Sequence, residues 1–353
     1  PPPPLSSSRR HTRWNCSSRG LGDVYKRQAL VAAADSAPDR IDAARADFPD
    51  LVGHASADSL ANDSDVDIAI IATPPVLHAQ LALQLLRAGK HVVIEKPMCL
   101  RRVDADEIIA TAAEMDRTVT VHQSRRWDRD WLALRELTGR GDIGEVFNVE
   151  TFFGGFEHPC RAWHSEESIT GGAIYDWGSH HVDWIVKLYG SAPKRVLCST
   201  HTRVWHDTTN ADQLSLWMQW DDGREATFRQ SDICAIRRPK FHIQGTLGTI
   251  EGHYRPVRSD DVVPGRGHVE YVSHHAEAPV DLTVAAYDGA LGVRESVVPP
   301  APSPGWGFHR NLADHLLLGE PLAVRPEQSR DVVAVLEAGH RSGANGGELI
   351  ELE

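Results

Sequence analysis

Cysteine is scarce in this chain. Five residues among 353 (Cys16, Cys99, Cys160, Cys198 and Cys234) lie scattered, with no Cys-x-x-Cys pair. That spacing supports neither a disulfide framework nor a zinc ribbon, and it suits reduced thiols in a cytoplasmic protein. Basic charge is also short: 37 Lys and Arg face 49 Asp and Glu, for a formal net charge of −12. Nucleic acid and anionic membrane surfaces both need a basic face, so neither is expected as a partner. No apolar run approaches the roughly 18 residues of a membrane span. The N-terminus lacks the apolar core of a signal peptide, and no internal repeat is evident. The rest is ordinary globular composition, 41% hydrophobic and 24% charged, long enough for two cores.

What is present is a β-α-β rhythm with a lysine at a telling place. His91-Val92-Val93-Ile94 reads as a buried parallel strand. It follows Gly89-Lys90, which closes a helix expected over Val76 to Ala88. Glu95-Lys96-Pro97 comes next, so Lys96 projects from the C-terminal edge of the sheet. Ligands bind outside that edge in doubly wound sheets. Further strands are expected at Leu30–Ala34, Leu51–His54, Val66–Ala72 and Thr118–His122, with helices over Pro38–Phe48 and Val103–Met115. The fold class is therefore α/β, a doubly wound Rossmann-like domain over residues 29–122.

After Gln123 the pattern changes. A helix over Arg129–Leu137, a strand over Glu145–Phe153 and a helix over Gly172–Leu188 precede strand-like runs at 194–203, 212–220, 225–231 and 241–245. Asp221-Asp222-Gly223 is a hairpin turn signal. Residues 123–353 are expected to form an α+β domain around a mainly antiparallel sheet. Residues 1–28 read as a non-native segment, similar to translated adapter sequence. Gly20-Leu21-Gly22 has no strand before it, Tyr25 stands where a third glycine belongs, and Asp35 follows only 15 residues after Gly20. The first strand and glycine loop of the domain are expected to be missing.

The strings TPPVLHAQLALQLLRAGKHVVIEKP and GGAIYDWGSHHVDWI resemble the Gfo/Idh/MocA oxidoreductases, a family named for glucose–fructose oxidoreductase and inositol dehydrogenase. The resemblance implies an NAD(P)-dependent dehydrogenase acting on a sugar, cyclitol or related polyol. It implies a catalytic set of Lys96, Asp176 and His180. On one helix, Asp176 and His180 share a face four residues apart, so the carboxylate is expected to hold the imidazole as proton acceptor. Lys96 is expected to stabilise the substrate oxygen. The resemblance also places Thr73, Pro74, His78, Glu95 and Gln123 around the cofactor, with Gln123 at a position often held by Asn. Glu95 is expected to orient Lys96 or the nicotinamide ribose.

Asp35, at the end of the second strand, can accept hydrogen bonds from the adenosine ribose hydroxyls. With Ser36 next and no adjacent arginine, it favours NAD over NADP. It equally suits the cap of the following helix. Arg126 suits a substrate carboxylate or polyol, or a surface hinge; Trp163 suits a sugar ring, or core packing. Gly171-Gly172 suits close approach to a ligand. A metal centre is not expected: His180 and His181 diverge by about 100° on a helix, and His158, Cys160 and His164 have only loop spacing. Two rival readings are an NAD-dependent glycosidase of the same family and a non-catalytic NAD(H) sensor. A homo-oligomer through the C-terminal sheet is expected.

Overall fold

The computed structural model describes residues 29–159, 162–255, 257–263, 267–273 and 279–352. The expected foreign segment and its glycines lie outside the described residues. From there the chain alternates as its apolar runs dictate. Ala32–Ala34 (β1) leads through Pro38–Asp47 (α1) to Val52–His54 (β2), and the two strands pair in parallel. Ala57–Ala61 (α2) has no apolar periodicity long enough to announce it; Ser56 caps it by accepting from the Ser59 amide.

Ile68–Ile71 (β3), His91–Ile94 (β4) and Val119–Val121 (β5) form a second parallel sheet, with Ile71 beside Ile94 and Ile94 beside Val121. His78–Arg87 (α3) and Arg102–Glu114 (α4) make the crossovers. Pro75, buried in a one-turn 3₁₀ segment, delays α3 to His78; Ala82, Leu85 and Leu86 form its inner face, and Gly89 at φ +79° ends it. Among the described residues β1 pairs only with β2, and β3 only with β4. Among the described residues the parallel strands thus fall into two sheets, and Leu30, Val31, Val52 and Ile70, in or next to them, are exposed.

The second half begins with Arg129–Arg140 (α5) and Val146–Gly154 (β6). Glu167–Thr170 (α6) and Gly178–Tyr189 (α7) follow. Next come Arg195–His201 (β7), Gln213–Gln219 (β8), Glu225–Ser231 (β9), Phe241–Gly245 (β10) and Gly248–Gly252 (β11). Val257–Val263 (β12) and Gly267–Ser273 (β13) pair as a separate ribbon. Leu282–Tyr287 (β14), Val293–Val298 (β15), Gly307–Leu318 (α8), Pro326–Ala344 (α9) and Ile350–Glu351 (β16) complete the chain. Nine strands form one sheet in the order β15-β14-β11-β10-β6-β9-β8-β7-β16. It is mainly antiparallel, as expected, except that β6 and β9 run parallel at its centre.

Strict alternation decides which face is buried. Leu214, Leu216 and Met218 on β8 and Ala226 and Phe228 on β9 point into the core that α7 and α9 cover. Gln213, Ser215, Trp217 and Gln219 on the opposite face are half-buried. The change of rhythm at Gln123 does not end the first core: Phe308, Leu312, Val324 and Val333 pack back into it, and the Thr120 hydroxyl donates to the Val324 carbonyl.

The helix expected over Gly172–Leu188 is broken. Gly171 and Gly172 stand at φ +87° and +117°, Ala173–Tyr175 make a 3₁₀ turn, and Asp176 breaks away at ψ −84° before α7 starts at Gly178. A Cβ on Gly171 would strike Leu100, and one on Gly172 would crowd His340. These glycines serve the backbone turn and close packing rather than approach to a ligand.

Candidate active site

The C-terminal ends of β1, β3, β4 and β5 carry Asp35, Ala72 to Pro74, Glu95-Lys96 and His122-Gln123. The turn before α7 delivers Asp176, and its first turn delivers His180. Lys96 Nζ donates to Asp176 Oδ1 at 2.5 Å and to the Asp176 carbonyl at 3.2 Å. Burial pushes the Asp176 carboxyl up, but the Lys96 ammonium overrides this and holds it below its ordinary value. Asp176 is therefore an anion that fixes the lysine at the mouth of the site.

His180 is held differently from the sequence expectation. Because Asp176 precedes the helix, the two do not share a helical face; the carboxylate serves Lys96, and His180 Nδ1 is buried without a hydrogen-bond partner. Burial, then the charges of Lys96, Arg125, His181 and His122, pushes its pKa well below 6.5. His180 is a neutral imidazole at physiological pH.

Other predicted residues act behind the site. His78 is 1% exposed; its Nδ1 lies 2.7 Å from the Pro97 carbonyl and its Nε2 2.8 Å from the Thr73 carbonyl. Burial lowers its pKa against the pull of both carbonyls. It pins the Thr73-Pro74 turn to the Glu95-Lys96-Pro97 segment instead of facing a ligand. Thr73 and Pro74 themselves are half-buried at the strand edge. Glu95 pairs first with His122, its Oε1 lying 2.7 Å from His122 Nδ1, and it also accepts from the Lys96 backbone amide. Gln123 is 2% exposed and donates to the Ser179 carbonyl at 3.1 Å, anchoring the start of α7.

Arg126 is overturned as a substrate residue. It makes a paired contact with Asp183 (2.8 and 2.6 Å) and donates to the Ala323 carbonyl and to Gln328 Oε1. At 4% exposure with its donors engaged, it is a structural clamp. Its neighbour Arg125 takes the place at the site, stacked 4.7 Å over the Trp177 ring and contributing its charge at Asp176 and His180. Both lie on the Ser124–Trp127 turn; which of two adjacent arginines turns outward is set by that turn and leaves no mark in the sequence. Trp163 is half-buried and stacks on His164 with ring centroids 3.6 Å apart. His158 pairs with Asp207, and Cys160 lies outside the described residues. Among the described residues no group of three metal-ligating side chains converges.

Asp35 does not cap α1, whose N-cap is Ala37 with no side-chain bond; it accepts from the Ala37 amide at 2.8 Å in the turn before the helix. It also pairs with Arg40 at 3.3 Å. An arginine four residues beyond Ser36, though not adjacent in the sequence, is thus folded back onto the carboxylate.

These residues suit a nicotinamide cofactor: a ribose-type carboxylate at β1, an ammonium and polar backbone at the ends of β3 and β4, and a neutral imidazole from the first turn of α7. A pyrophosphate loop is not among the described residues.

Comparison with known proteins agrees with this arrangement. Residues 6–123 match a profile described as the oxidoreductase family NAD-binding Rossmann fold, and residues 131–251 match the GFO/IDH/MocA C-terminal domain. Over 306 residues the chain is 25% identical to the NADP(+) scyllo-inositol 2-dehydrogenase IolW of Bacillus subtilis, covering 86% of this chain and 84% of that protein. It is 26% identical over 246 residues to the 1,5-anhydro-D-fructose reductase of Ensifer adhaerens, covering 69% and 72%. In structure it is similar to an NAD-binding protein from Listeria innocua (TM-score 0.75, 24% identity, 91% and 88% covered). It is also similar to the aldose–aldose oxidoreductase of Caulobacter crescentus (TM-score 0.74, 20% identity, 92% of each chain). With both halves matched, the chain belongs to the Gfo/Idh/MocA family of NAD(P)-binding oxidoreductases.

Proposed function

We propose that this protein is a dehydrogenase that oxidises a secondary hydroxyl of a sugar, cyclitol or related polyol. The observation that carries the reading is the Lys96–Asp176 ion pair at the sheet edge beside a neutral, buried His180. A bound nicotinamide supplies the hydride acceptor. Lys96, held as an ammonium by Asp176, stabilises the developing oxyanion. His180 accepts the hydroxyl proton, because its lone pair is free at neutral pH. Asp176 acts on Lys96 and leaves His180 to be oriented by packing against Trp177, with ring centroids 6.0 Å apart.

Asp35 favours NAD, since a carboxylate repels a 2′-phosphate; Arg40, released from it, would meet that phosphate and narrow the preference. The half-buried polar face of the nine-stranded sheet is proposed to pair with a second copy. Among the described residues no helix is long and apolar enough to cross a membrane.

The test is a panel of inositols, aldoses and alditols with NAD+ and NADP+, read at the NAD(P)H absorbance. Turnover of a polyol that is lost in Lys96→Ala and His180→Ala is expected. Turnover that survives either change with native circular dichroism would overturn the mechanism.

A further inference from the structure

Asp232 has no part in the chemistry above, yet the strand register sets it on the side of the sheet near Asp176, whose charge reaches its carboxyl. It directly follows β9, beyond the point where Gln230 pairs with Phe153 and Ser231 with Gly154. Phe153 stacks on Trp177 with centroids 3.5 Å apart, and Trp177 adjoins Asp176. The Asp232 backbone is fixed on three sides. Its amide donates to the Asp212 carbonyl at 2.8 Å, and its carbonyl accepts from the Glu157 amide and from Trp205 Nε1, both at 3.1 Å. Nothing in that frame lets the residue swing away.

Its carboxyl is treated unlike the others nearby. Asp176 has Lys96, and Asp212 accepts from the amides of Arg203, Val204 and Trp205. Asp232 is 6% exposed, receives a side-chain hydrogen bond from Gln230, and no cation pairs with it among the described residues. Burial, then the negative charges of Asp176, Asp212 and Glu157, pushes it up to about 7. Near neutral pH much of it is a carboxylic acid, a group that both donates and accepts a hydrogen bond. Beside it, Gln230 Oε1 is buried without a partner. A neutral acid matches a hydroxyl, which also donates and accepts. It suits an anionic substrate poorly, because Asp176 already places one negative charge across the cleft.

We propose that Asp232 is a substrate-binding residue of this site, holding a hydroxyl of an uncharged polyol across the cleft from Lys96 and His180. The inference rests on the dehydrogenase reading for its substrate class. Trp205, which donates to the Asp232 carbonyl, supplies apolar surface of the kind that packs on the C–H face of a sugar ring.

The test uses the full chain with its aspartate carboxyls labelled with carbon-13. One resonance should titrate near pH 7, vanish in Asp232→Asn, and shift when scyllo-inositol or another polyol of the panel is added. With a polyol that the wild type oxidises, Asp232→Ala should raise KM about tenfold, the loss of one hydrogen bond in a buried site, and change kcat less. Asp232→Asn keeps the shape and serves as the folding control by circular dichroism. A KM within twofold of wild type in Asp232→Ala overturns the proposal. Should no polyol be oxidised at all, the redox reading fails by itself. A polyol-induced shift of the Asp232 resonance would then still support this assignment, and no shift with any polyol would overturn it.

Discussion

Two ion pairs tie the α7 region to the rest of the chain, one from the Ser124–Trp127 turn and one from the end of β4, and they are built in opposite ways. Arg126 and Asp183 meet sealed from water, with 3% and 2% of their side chains exposed, and all three guanidinium nitrogens of the arginine donate hydrogen bonds. Lys96 and Asp176 meet at the open edge, with 22% and 45% exposed. The sealed pair can only hold the fold; the open pair leaves its ammonium partly exposed at the sheet edge. The same two charge types therefore give a rivet and a reactive group, and access rather than pairing separates them.

Breaking the rivet should have the largest effect on the fold. Arg126→Ala leaves Asp183 buried and unpaired, and should lower unfolding stability by about 3–5 kcal/mol in denaturant titration. Breaking the open pair should do the reverse. Lys96→Ala should cost about 10²-fold or more in kcat while its melting temperature falls less than that of Arg126→Ala. If Lys96→Ala destabilises as much as Arg126→Ala, the contrast between the pairs is wrong.

The adjacent histidines sharpen the same contrast. His180 faces the site, whereas His181 is fully buried, stacked 4.7 Å from Phe228, with both ring nitrogens unpartnered. Burial comes first among the causes that depress both below 6.5 in the folded state. In the unfolded chain each takes up a proton below about pH 6.5. The unfolded state then binds more protons, so stability is full above about pH 6.5 and falls as pH drops, by up to about 1.4 kcal/mol per pH unit for each histidine. His181→Leu should remove one histidine's share of that slope in melts taken from pH 7 to pH 5, leaving the pH dependence of turnover in place.

A third pair, Asp35–Arg40, lies mostly in solvent, with 28% and 63% exposed, and should give the smallest effect. Arg40→Ala should weaken NADP+ relative to NAD+ by less than about tenfold in competition titration, with the melting temperature nearly unchanged.

Much of this was legible in the sequence. The strand at His91–Ile94 and those at 225–231 and 241–245 follow from runs of β-branched and aromatic residues and from period-two alternation. Lys96 and Asp176 do meet, with His180 on the helical turn that follows. The expected pairing of Asp176 with His180 was not legible: a two-residue break before Gly178 redirects Asp176 from the imidazole to the lysine, and backbone breaks of that size have no periodic signature. Arg126 misled because a buried guanidinium looks like an exposed one until its partners, 57 and about 200 residues away, are in place. Asp232 drew no notice because a single acid after a strand is ordinary until its neighbours prove to be acids too.

The return of the chain's end to its beginning has a consequence during synthesis. The Thr120 hydroxyl waits for a carbonyl 204 residues downstream, and Phe308 and Leu312 fill the core beside β4 and β5. At about 5–20 residues per second, translation leaves that surface bare for roughly 10–40 s. The nascent first half emerges with an unfinished apolar floor, and its last folding step is set by the ribosome's progress toward the far end of the message. Pulse-proteolysis of stalled nascent chains should show protection of residues 29–122 arriving only once α8 has cleared the exit tunnel.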